Sequence, residues 1–496
     1  MKSWIPDHHL IYFIIDVVSE LDMKSIDMAN FFHTSASGKV RPKSSAGARP
    51  YDPRMMLGLL IYSSSLGIFS SRKIETATTI DIAFRILSGD QHPDHATIAA
   101  FRRTHLPYIK ELFLQVLRIA TRAKLVGFDH WALDGTKLSA DASKHKAMSY
   151  ERMKIDEAKI QLEIEDFLKK SEEIDAAEDK EFGADRHGPD VPAELKRRQT
   201  RVVKIHEIRL ELEAEAAASR LRDVQEQVER AKENGNCTDA DPRAEAYGKR
   251  ADERLVEPTK KAEQTAAKVG AVGVPQEEIP VEQAMPTHDV PCTKDGDPTP
   301  SAQRNFTDSD SRIMKSGGDF IQGYNGQAVV DAKTQIIVAC GLSNLAPDAP
   351  YGIPMMERGI SNCGRSPVVT SMDTGYWSES TAESLEGMGI DAHIATKRDA
   401  HSEPTADPSP PKATSRKGLM RKKLQTDSGK KLYSRRKVIV EPVFGRIKDA
   451  IGFRRFTMRG IVAARAEWSF VCTIHNLLKV FVYGKGSARI PVAASA

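Results

Sequence analysis

Two short apolar runs, each delivering an aspartate, decide the fold: Trp131-Ala-Leu-Asp-Gly-Thr-Lys-Leu138 and Pro367-Val-Val-Thr-Ser-Met-Asp-Thr-Gly-Tyr376. Both read as buried strands, and in each a glycine follows the aspartate within two residues. This pattern predicts a short, rigid carboxylate at a sheet edge with open space beside it. A lone aspartate there is usually a turn former, so Asp134 and Asp373 gain weight from occurring as a pair.

The elements after the first run predict a mixed, α+β domain. Their order is a two-strand hairpin, a helix, a strand, a helix, a strand and terminal helices. With the strand that carries Asp134, this order is typical of a ribonuclease-H-like fold. We predict such a catalytic domain over 126–147 and 301–484. Its elements after the first strand are predicted at 320–330, 335–342, 354–360, 367–372, 379–388 and 392–396.

Residues 1–125 predict a helical N-terminal domain. Asp94 is positioned as an N-cap, and a further helix is predicted to start near Pro107. The helices around 71–103 fit either a helix-turn-helix or an ordinary helical bundle with exposed arginines. In the first case, the residues near DNA would be Thr97, Arg102 and Arg103.

The catalytic domain is predicted to be interrupted. Residues 148–232 are charged, with apolar residues at helical spacing and a break at 183–192, so we predict a mainly helical insertion built as a hairpin. Residues 233–300 lose this periodicity and gain Pro, Gly, Thr and acidic residues, which predicts a mobile linker. The insertion is also a candidate self-association or partner-binding element.

Length, charge and cysteine content restrict the class of protein to which the chain can belong. A length of 496 residues exceeds what one hydrophobic core usually organises. The net charge is only +4, but residues 396–460 hold 18 Lys and Arg against 6 Asp and Glu, which suits either phosphate binding or a solvated loop. Five scattered cysteines indicate neither a disulfide framework nor a zinc site. Without a recognisable signal peptide or membrane span, we expect a cytoplasmic protein.

A third acid, Glu441, lies within the basic stretch. Helical spacing would place Glu441 and Lys448 two turns apart on one face, so that a metal ligand and a phosphate-binding cation share a surface. Pro442 allows two arrangements: a helix that begins there with Glu441 at its N-terminus, or a kinked helix. Such carboxylates can hold two metal ions about 3.5–4 Å apart, as phosphoryl transfer requires.

These residues resemble the DDE transposases of bacterial insertion sequences, in the branch with a Tyr-Arg-Glu-Lys signature. The resemblance runs through nearly the whole chain. Its blocks are highly specific together, and the last is specific by itself. They are Asp134-Gly-Thr-Lys-Leu-Ser-Ala-Asp-Ala-Ser143, Gln303-Arg-Asn-Phe-Thr-Asp308, Gly323-Tyr-Asn325, Asp373-Thr-Gly-Tyr376, and Val440-Glu-Pro-Val-Phe-Gly445 with Gly452-Phe-Arg-Arg-Phe456 and Arg459-Gly460.

The resemblance implies an enzyme that cuts DNA at the ends of an insertion sequence and joins those ends to target DNA. It implies that Asp134, Asp373 and Glu441 bind two Mg²⁺ ions, for which Mn²⁺ is a plausible substitute. The partners implied are double-stranded DNA, as transposon ends and target, and further copies of the chain in a homo-oligomer on paired ends. The residues implied to contact DNA phosphates are Tyr433, Arg436 and Lys448.

The signature departs from that of the family at one point. Counted from Tyr433, Arg436 has the expected spacing, yet four residues rather than three separate it from Glu441, and Lys437 fits the other count. Which of Arg435, Arg436 and Lys437 holds DNA therefore stays open.

Two other functions stay open as well: a catalytically inactive, transposase-derived DNA-binding protein, and a hydrolytic nuclease of the ribonuclease-H-like type. Trp377 and Trp468 are candidates for stacking on an extruded base, although packing is the commoner role of a buried tryptophan. Isolated histidines on helical faces are more often hydrogen-bonded packing residues. We therefore assign no chemistry to His145, His206 and His475.

Overall fold

The computed structural model describes residues 4–34, 40–42, 50–182, 193–234, 242–271, 285–396 and 414–484. The chain forms two compact units, the first of Met1–Asp141 with Met314–Ala496 and the second of Ala142–Ile313. The second unit is thus inserted into the first, in agreement with the predicted interruption.

Both units contain helices and strands. The helices are α1 Leu10–Glu20, α2 Lys24–Phe31, α3 Pro53–Ser65, α4 Ser71–Ile80, α5 Ile82–Leu87, α6 His95–Arg122, α7 Tyr150–Phe182, α8 Ala193–Asn234, α9 Pro242–Ala271, α10 Gly352–Cys363, α11 Glu379–Gly387, α12 Arg416–Gln425, α13 Asp427–Ile439, α14 Glu441–Gly445 and α15 Ile461–Tyr483. The strands are β1 Phe32–Thr34, β2 Val40–Pro42, β3 His130–Ser139, β4 Ala147–Ser149, β5 Gln303–Asn305, β6 Arg312–Ser316, β7 Asp319–Asp331, β8 Ile337–Ser343, β9 Val369–Met372 and β10 Asp391–Ile394.

Aspartate side chains begin three of the N-terminal helices. Asp52, Asp81 and Asp94 each accept hydrogen bonds from backbone N–H groups in the first turn of α3, α5 and α6, respectively. Such caps satisfy donors that have no partner inside the helix. The N-cap predicted at Asp94 is therefore confirmed.

Helix α6 differs from the prediction that a new helix starts near Pro107. It runs without a break from His95 to Arg122. A proline inside a helix costs about 3 kcal/mol, but apolar side chains on both sides of it, including Ile98 and Val116, are fully buried. Helix α6 also packs along α15. This tertiary burial offsets the cost of the proline and keeps the helix continuous.

A mixed sheet forms the centre of the first unit. Its strand order is β10, β9, β3, β7 and β6, and β8 also pairs with β7. Strand β3 is parallel to β9 and antiparallel to β7. The strands and intervening helices follow the predicted order, and only β6 has no counterpart in the prediction.

Helices cover both faces of this sheet. A Cβ at Gly359 of α10 would lie 3.0 Å from the Trp131 ring, and a Cβ at Gly326 of β7 would lie 3.1 Å from the Trp468 ring of α15. Gly326 pairs with Thr136, and side chains alternate along a strand, so the two tryptophans lie on opposite faces. Both are fully buried. Trp468 is therefore a packing residue and not a stacking surface for a base.

Three long helices, α7, α8 and α9, build the second unit, with a small β4–β5 pair. The linker predicted over 233–300 is wrong for residues 242–271, which form α9. This helix packs on α8 through small or half-buried residues at helical spacing, and Thr265 and Val269 are buried. The break predicted at 183–192 lies outside the described residues, and the self-association role of the insertion stays a prediction.

Two further expectations concern membranes and thiols. Among the residues described above, no helix is both long enough and apolar enough to cross a membrane. Four of the five cysteines are free thiols, and Cys237 lies outside the described residues.

Candidate active site

Asp134 and Asp373 lie side by side on the sheet. Strand β9 ends at Met372, which pairs in parallel with Leu133, so the next residue on each chain segment is an aspartate. Asp134 lies within β3, which continues along β7 to Ser139, close to the predicted strand end at Leu138. Its parallel neighbour β9 ends beside Leu133.

Asp373 begins a tight turn after β9. Its Oδ1 accepts a hydrogen bond from the backbone N–H of Gly375 at 2.7 Å. This bond fixes the carboxylate at the sheet edge, next to Asp134. The pair therefore presents two short side chains, one held by a strand and one by a turn.

Glu441 is the first residue of α14 and is about half exposed, at 54%. Helix α13 ends at Ile439, and Pro442 lies in the first turn of the new helix, where a proline is tolerated. Of the two arrangements that Pro442 allows, the structure has the one in which a helix begins beside Glu441.

Arg436 joins two of the three acids. Its Nη1 donates to Asp134 Oδ2 at 2.6 Å, and its Nη2 lies 4.0 Å from Glu441 Oε1. The side chains of Arg436 and Asp134 are 13% and 18% exposed, so the ion pair is largely shielded from water. A cationic group thus lies where these carboxylates converge.

The donor set has the chemistry of a site for a hard cation. Three carboxylates offer only oxygen ligands, which Mg²⁺ prefers. In the described part of the chain, no three His, Cys, Asp or Glu side chains are close enough to hold a metal in this conformation. In this conformation the guanidinium of Arg436 balances Asp134 and approaches Glu441.

The surroundings of Asp134 disfavour the ionised form of its carboxyl group. Burial raises the pKa of its carboxyl group to about 6, and the charges of Asp373 and Asp348 act in the same direction. Arg436 and the N–H of Gly135 lower this pKa. A cation at the site therefore favours the ionised carboxylate.

Helix α13 separates the candidate DNA contacts onto different faces. Gly429, Tyr433, Arg436 and Val440 recur at three- and four-residue spacing, and all four are buried or half-buried. The exposed cationic side chains on the other faces include those of Lys430, Lys431, Arg435 and Lys437. Of the three residues left open by the signature, Arg436 faces the acids, whereas Arg435 and Lys437 face solvent.

Lys448 lies in a π-helical turn, Arg446–Ala450, in which the Ile451 N–H donates to the Arg446 carbonyl at 2.8 Å. The expectation that Glu441 and Lys448 share one face assumes a continuous α-helix, and that assumption is wrong. A π turn holds more residues per turn, so Lys448 is rotated away from the expected position. Burial and nearby Arg454 lower the pKa of Lys448, whereas Asp449 raises it.

Part of the basic stretch stabilises the protein itself. Arg416 forms ion pairs with Glu383 and Glu386 of α11. Lys423 contacts Asp391 and donates to the Ala392 carbonyl at 2.8 Å. Arg416 thus connects α12 to α11, and Lys423 connects it to the edge strand β10. Only the other cations of the basic stretch are therefore available to bind a partner.

The arginines of the possible helix-turn-helix differ in exposure. Arg102 is directed inward, and its Nη2 donates to the Phe69 carbonyl at 2.9 Å. Thr97 is engaged by the Asp94 carboxylate at the start of α6. Arg103 is exposed. The placement of Arg102 near DNA is therefore wrong, because this side chain packs inside the first unit.

Other candidates from the sequence have ordinary structural surroundings. His206 hydrogen-bonds to Glu157 at 2.7 Å, and buried His475 hydrogen-bonds to the Gln335 carbonyl at 2.9 Å, as expected for packing histidines. His145 is exposed, and Trp377 is half-buried just after the Asp373 turn.

Asp348 belongs to the surroundings of the acids but lies outside every matching block, so sequence reasoning does not identify it. Its Oδ1 accepts hydrogen bonds from Lys137 at 3.0 Å, Asn325 at 2.7 Å and Gln327 at 2.9 Å. Two of these donors, Lys137 and Asn325, belong to the blocks. Only the folded structure shows that Asp348 links the two blocks to which Lys137 and Asn325 belong.

Comparison with known families gives two matches. Residues 288–477 match the family described as Transposase DDE domain, and residues 1–104 match the Transposase domain (DUF772). The two ranges together cover more than half of the chain. The first range contains Asp373 and Glu441, whereas Asp134 lies in neither and reaches the site through β3. No curated protein and no solved structure matches the chain significantly.

Proposed function

Because this chain is a DDE-type DNA transposase with a ribonuclease-H-like catalytic domain, we propose that Asp134, Asp373 and Glu441 form its catalytic site. In this proposal the site binds two Mg²⁺ ions, with Mn²⁺ as a substitute. It cuts DNA at the ends of an insertion sequence and joins those ends to target DNA. The observation that carries the proposal is the end of β9 beside β3, which leaves Asp134 and Asp373 adjacent on one face of the sheet.

The three acids hold the proposed metal site from two sides. When bound, the two ions activate the attacking oxygen and stabilise the leaving oxygen of a phosphodiester. Asp134 and Asp373 would hold one side of the site from the sheet, and Glu441 the other side from the start of α14. Water is the first nucleophile and the freed 3′-hydroxyl the second, so one site serves both steps without a covalent protein–DNA bond.

Arg436 has a double role in this proposal. In the protein alone it neutralises Asp134. When DNA and metal arrive, a phosphate offers its guanidinium another anion, with which arginine can pair through two hydrogen bonds. Tyr433, one turn earlier on the same face of α13, would contact the same phosphate backbone. Lys448 would approach the strand from the π turn.

The exposed cations of α13 supply the wider DNA contact. Lys430, Lys431, Arg435 and Lys437 present positive charge to solvent next to the acidic site. Such charges position DNA without reading its bases. We assign end recognition or dimer contacts to the N-terminal domain, 1–125, and expect a homo-oligomer on paired ends at the nucleoid. Domain limits of 126–147 and 301–484 for catalysis belong to the same proposal.

A strand-transfer assay tests this function against its rivals. A short duplex carrying the element's end with a free 3′-hydroxyl is incubated with the protein, Mg²⁺ and a supercoiled plasmid. We expect covalent joining to the plasmid, and no joining by Asp373→Asn. A scrambled duplex is the control. Nicking without joining would indicate a hydrolytic nuclease, and DNA binding without any product would indicate an inactive DNA-binding relative.

A further inference from the structure

A polar cluster lies under the two aspartates. Asp348 Oδ1 accepts from the Lys137 ammonium and from the side-chain amides of Asn325 and Gln327, at 2.7–3.0 Å. The Tyr376 hydroxyl donates in turn to Gln327 Oε1. Asn325, Gln327 and Tyr376 are fully buried. We call these five residues the Asp348 cluster, because a single carboxylate oxygen gathers three of its donors.

The Asp348 cluster and the acids occupy opposite faces of the sheet. Lys137 pairs with Asn325, and Gly135 pairs with Gln327, so these positions share one face. Asp134 is one residue from Gly135 and therefore points to the other face, where Arg436 meets it. Asp348 cannot join the acids as a ligand from this side, and any influence must pass through the backbone.

Two glycines leave the space that the cluster needs. A Cβ at Gly135 would lie 2.5 Å from Gln327 Nε2 and 2.8 Å from Asp348 Oδ1. A Cβ at Gly375 would lie 2.9 Å from Asp373 Oδ1 and 3.5 Å from Asp348 Oδ2. These are the glycines that follow Asp134 and Asp373 in the two runs that decide the fold. The cluster therefore packs directly against the backbone that carries each acid.

We propose that Asp348 is a positioning residue that fixes the separation of Asp134 and Asp373. Through Lys137 it holds β3 three residues after Asp134. Through Gln327 it holds Tyr376, three residues after Asp373. The inference rests on the proposed function, because it concerns the acids assigned there to metal binding. It also explains why Lys137, Asn325 and Tyr376 occur in the blocks although none of them reaches the acidic side of the sheet.

Mn²⁺ binding by the full-length protein tests the inference without a need for activity. Free Mn²⁺ is measured by electron paramagnetic resonance during titration of the unaltered protein, Asp348→Asn and Lys137→Met. Loss of a group that orients metal ligands typically weakens metal binding by about 10- to 100-fold. We expect a loss in that range for Asp348→Asn and a smaller loss for Lys137→Met. The double variant should be no weaker than Asp348→Asn, since both changes remove one interaction.

Asp331→Asn is the matched control. Asp331 is buried at the other end of β7, where its carboxylate accepts from the N–H groups of Lys333, Thr334 and Ile336. Its substitution should lower the melting temperature yet leave Mn²⁺ affinity unchanged, which separates positioning from general stability. If Asp348→Asn fails to fold, Lys137→Met carries the same test.

The outcomes separate the inference from the proposed function. If Asp134→Asn abolishes Mn²⁺ binding but Asp348→Asn and Lys137→Met bind Mn²⁺ as the unaltered protein does, the positioning role is overturned and the metal site stands. If Asp134→Asn leaves Mn²⁺ binding intact, the metal site itself is overturned, and the positioning role with it.

Discussion

At the scale of single residues, the site is organised around one guanidinium. Arg436 donates to Asp134 at 2.6 Å and approaches Glu441, in surroundings that exclude most water. Ion pairs of this kind are stronger than exposed ones, because water screens them less. In the protein alone, Arg436 therefore competes with any cation for Asp134.

Replacing Arg436 tests this competition. Hydrogen bonds to charged groups contribute about 1.5–3 kcal/mol, so Arg436→Gln should raise the Mn²⁺ affinity of the DNA-free protein by about tenfold or more. The same variant should lose DNA cleavage, because the phosphate contact is removed. Arg435→Gln, one residue away and exposed, is the control and should leave Mn²⁺ affinity unchanged. A weaker affinity in Arg436→Gln would show that Arg436 supports the metal site instead.

The acidic residues of the candidate site can be identified from the sequence, but the side chains that contact them in the fold cannot. Asp134 and Asp373 are recognisable because each follows an apolar run and precedes a glycine within two residues. Arg436 and Asp134 are 302 positions apart, and Asp348 and Lys137 are 211 apart. No local spacing relates residues at such separations. The fold alone decides that one arginine of α13 faces Asp134 while its neighbours face solvent.

At the scale of elements, the turn between α12 and α13 sets the direction of the signature residues. The Thr426 hydroxyl accepts from the Gly429 N–H at 3.0 Å and caps α13. A Cβ at Gly429 would collide with the Lys423 carbonyl oxygen. The glycine therefore allows α13 to start close to α12, and this start fixes where Tyr433 and Arg436 point.

Gly429→Ala should destabilise the protein by about 1–3 kcal/mol, as overpacking generally does. It should also reduce DNA cleavage more than the loss of stability explains, because Arg436 moves. Gly445→Ala is the matched control: its backbone is helical, and a Cβ there meets nothing within 4 Å. That change should be neutral or stabilise by up to about 1 kcal/mol. Denaturant unfolding measures both, and equal effects would contradict the close approach of α12 and α13.

Helix α15 carries a histidine that should make the protein sensitive to acid. Burial lowers the pKa of His475 to about 3, and Lys479 and Arg446 act in the same direction. The unfolded chain binds a proton near pH 6.5, so stability that is complete above this pH is lost as the pH falls towards 3. At pH 5 the loss from this residue is about 2 kcal/mol.

His475→Gln keeps a donor for the Gln335 carbonyl but does not titrate. The fall in unfolding free energy between pH 7.5 and pH 5 should therefore be about 2 kcal/mol smaller in the variant than in the unaltered protein. Urea unfolding at the two pH values measures this difference. An equal fall in both proteins would mean that His475 is already protonated in the folded state at pH 5.

Elements with strong periodicity were predictable, and those stabilised by distant packing were not. The hairpin of β7 and β8 is visible in the sequence as two β-rich runs at hairpin spacing, and both strands lie where predicted. Helix α9 was missed because Pro258 interrupts it and its inward residues are mostly small, such as Ala262 and Thr265. Packing against α8 supplies stability that the intrinsic helix propensity of α9 does not predict.

At the scale of the whole molecule, the proposed function relates the distribution of charge to where DNA would bind. The chain as a whole is nearly neutral, at +4. The exposed lysines and arginines of α13 lie next to the acidic site, while Arg416 and Lys423 are already paired within the protein. We therefore expect α13 to contribute strongly to the salt dependence of binding.

Each phosphate neutralised by a cation contributes about −0.9 to the slope of log K against log salt concentration on duplex DNA. Replacing Lys430, Lys431 and Lys437 by Gln should make this slope less steep by about 3, if each contacts one phosphate. Fluorescence anisotropy with an end duplex between 50 and 200 mM KCl, without divalent metal, measures the slope. An unchanged slope would place the DNA on another surface.

The most direct measurement of the central claim is Mg²⁺-dependent cleavage of a DNA fragment that carries the element's own end. The unaltered protein is compared with Asp134→Ala, Asp373→Ala and Glu441→Ala at protein concentrations that give equal DNA binding. We predict cleavage by the unaltered protein and none by any of the three variants. Cleavage that survives one substitution would remove that residue from the site, and no cleavage by the unaltered protein would contradict the assignment of catalysis to this triad.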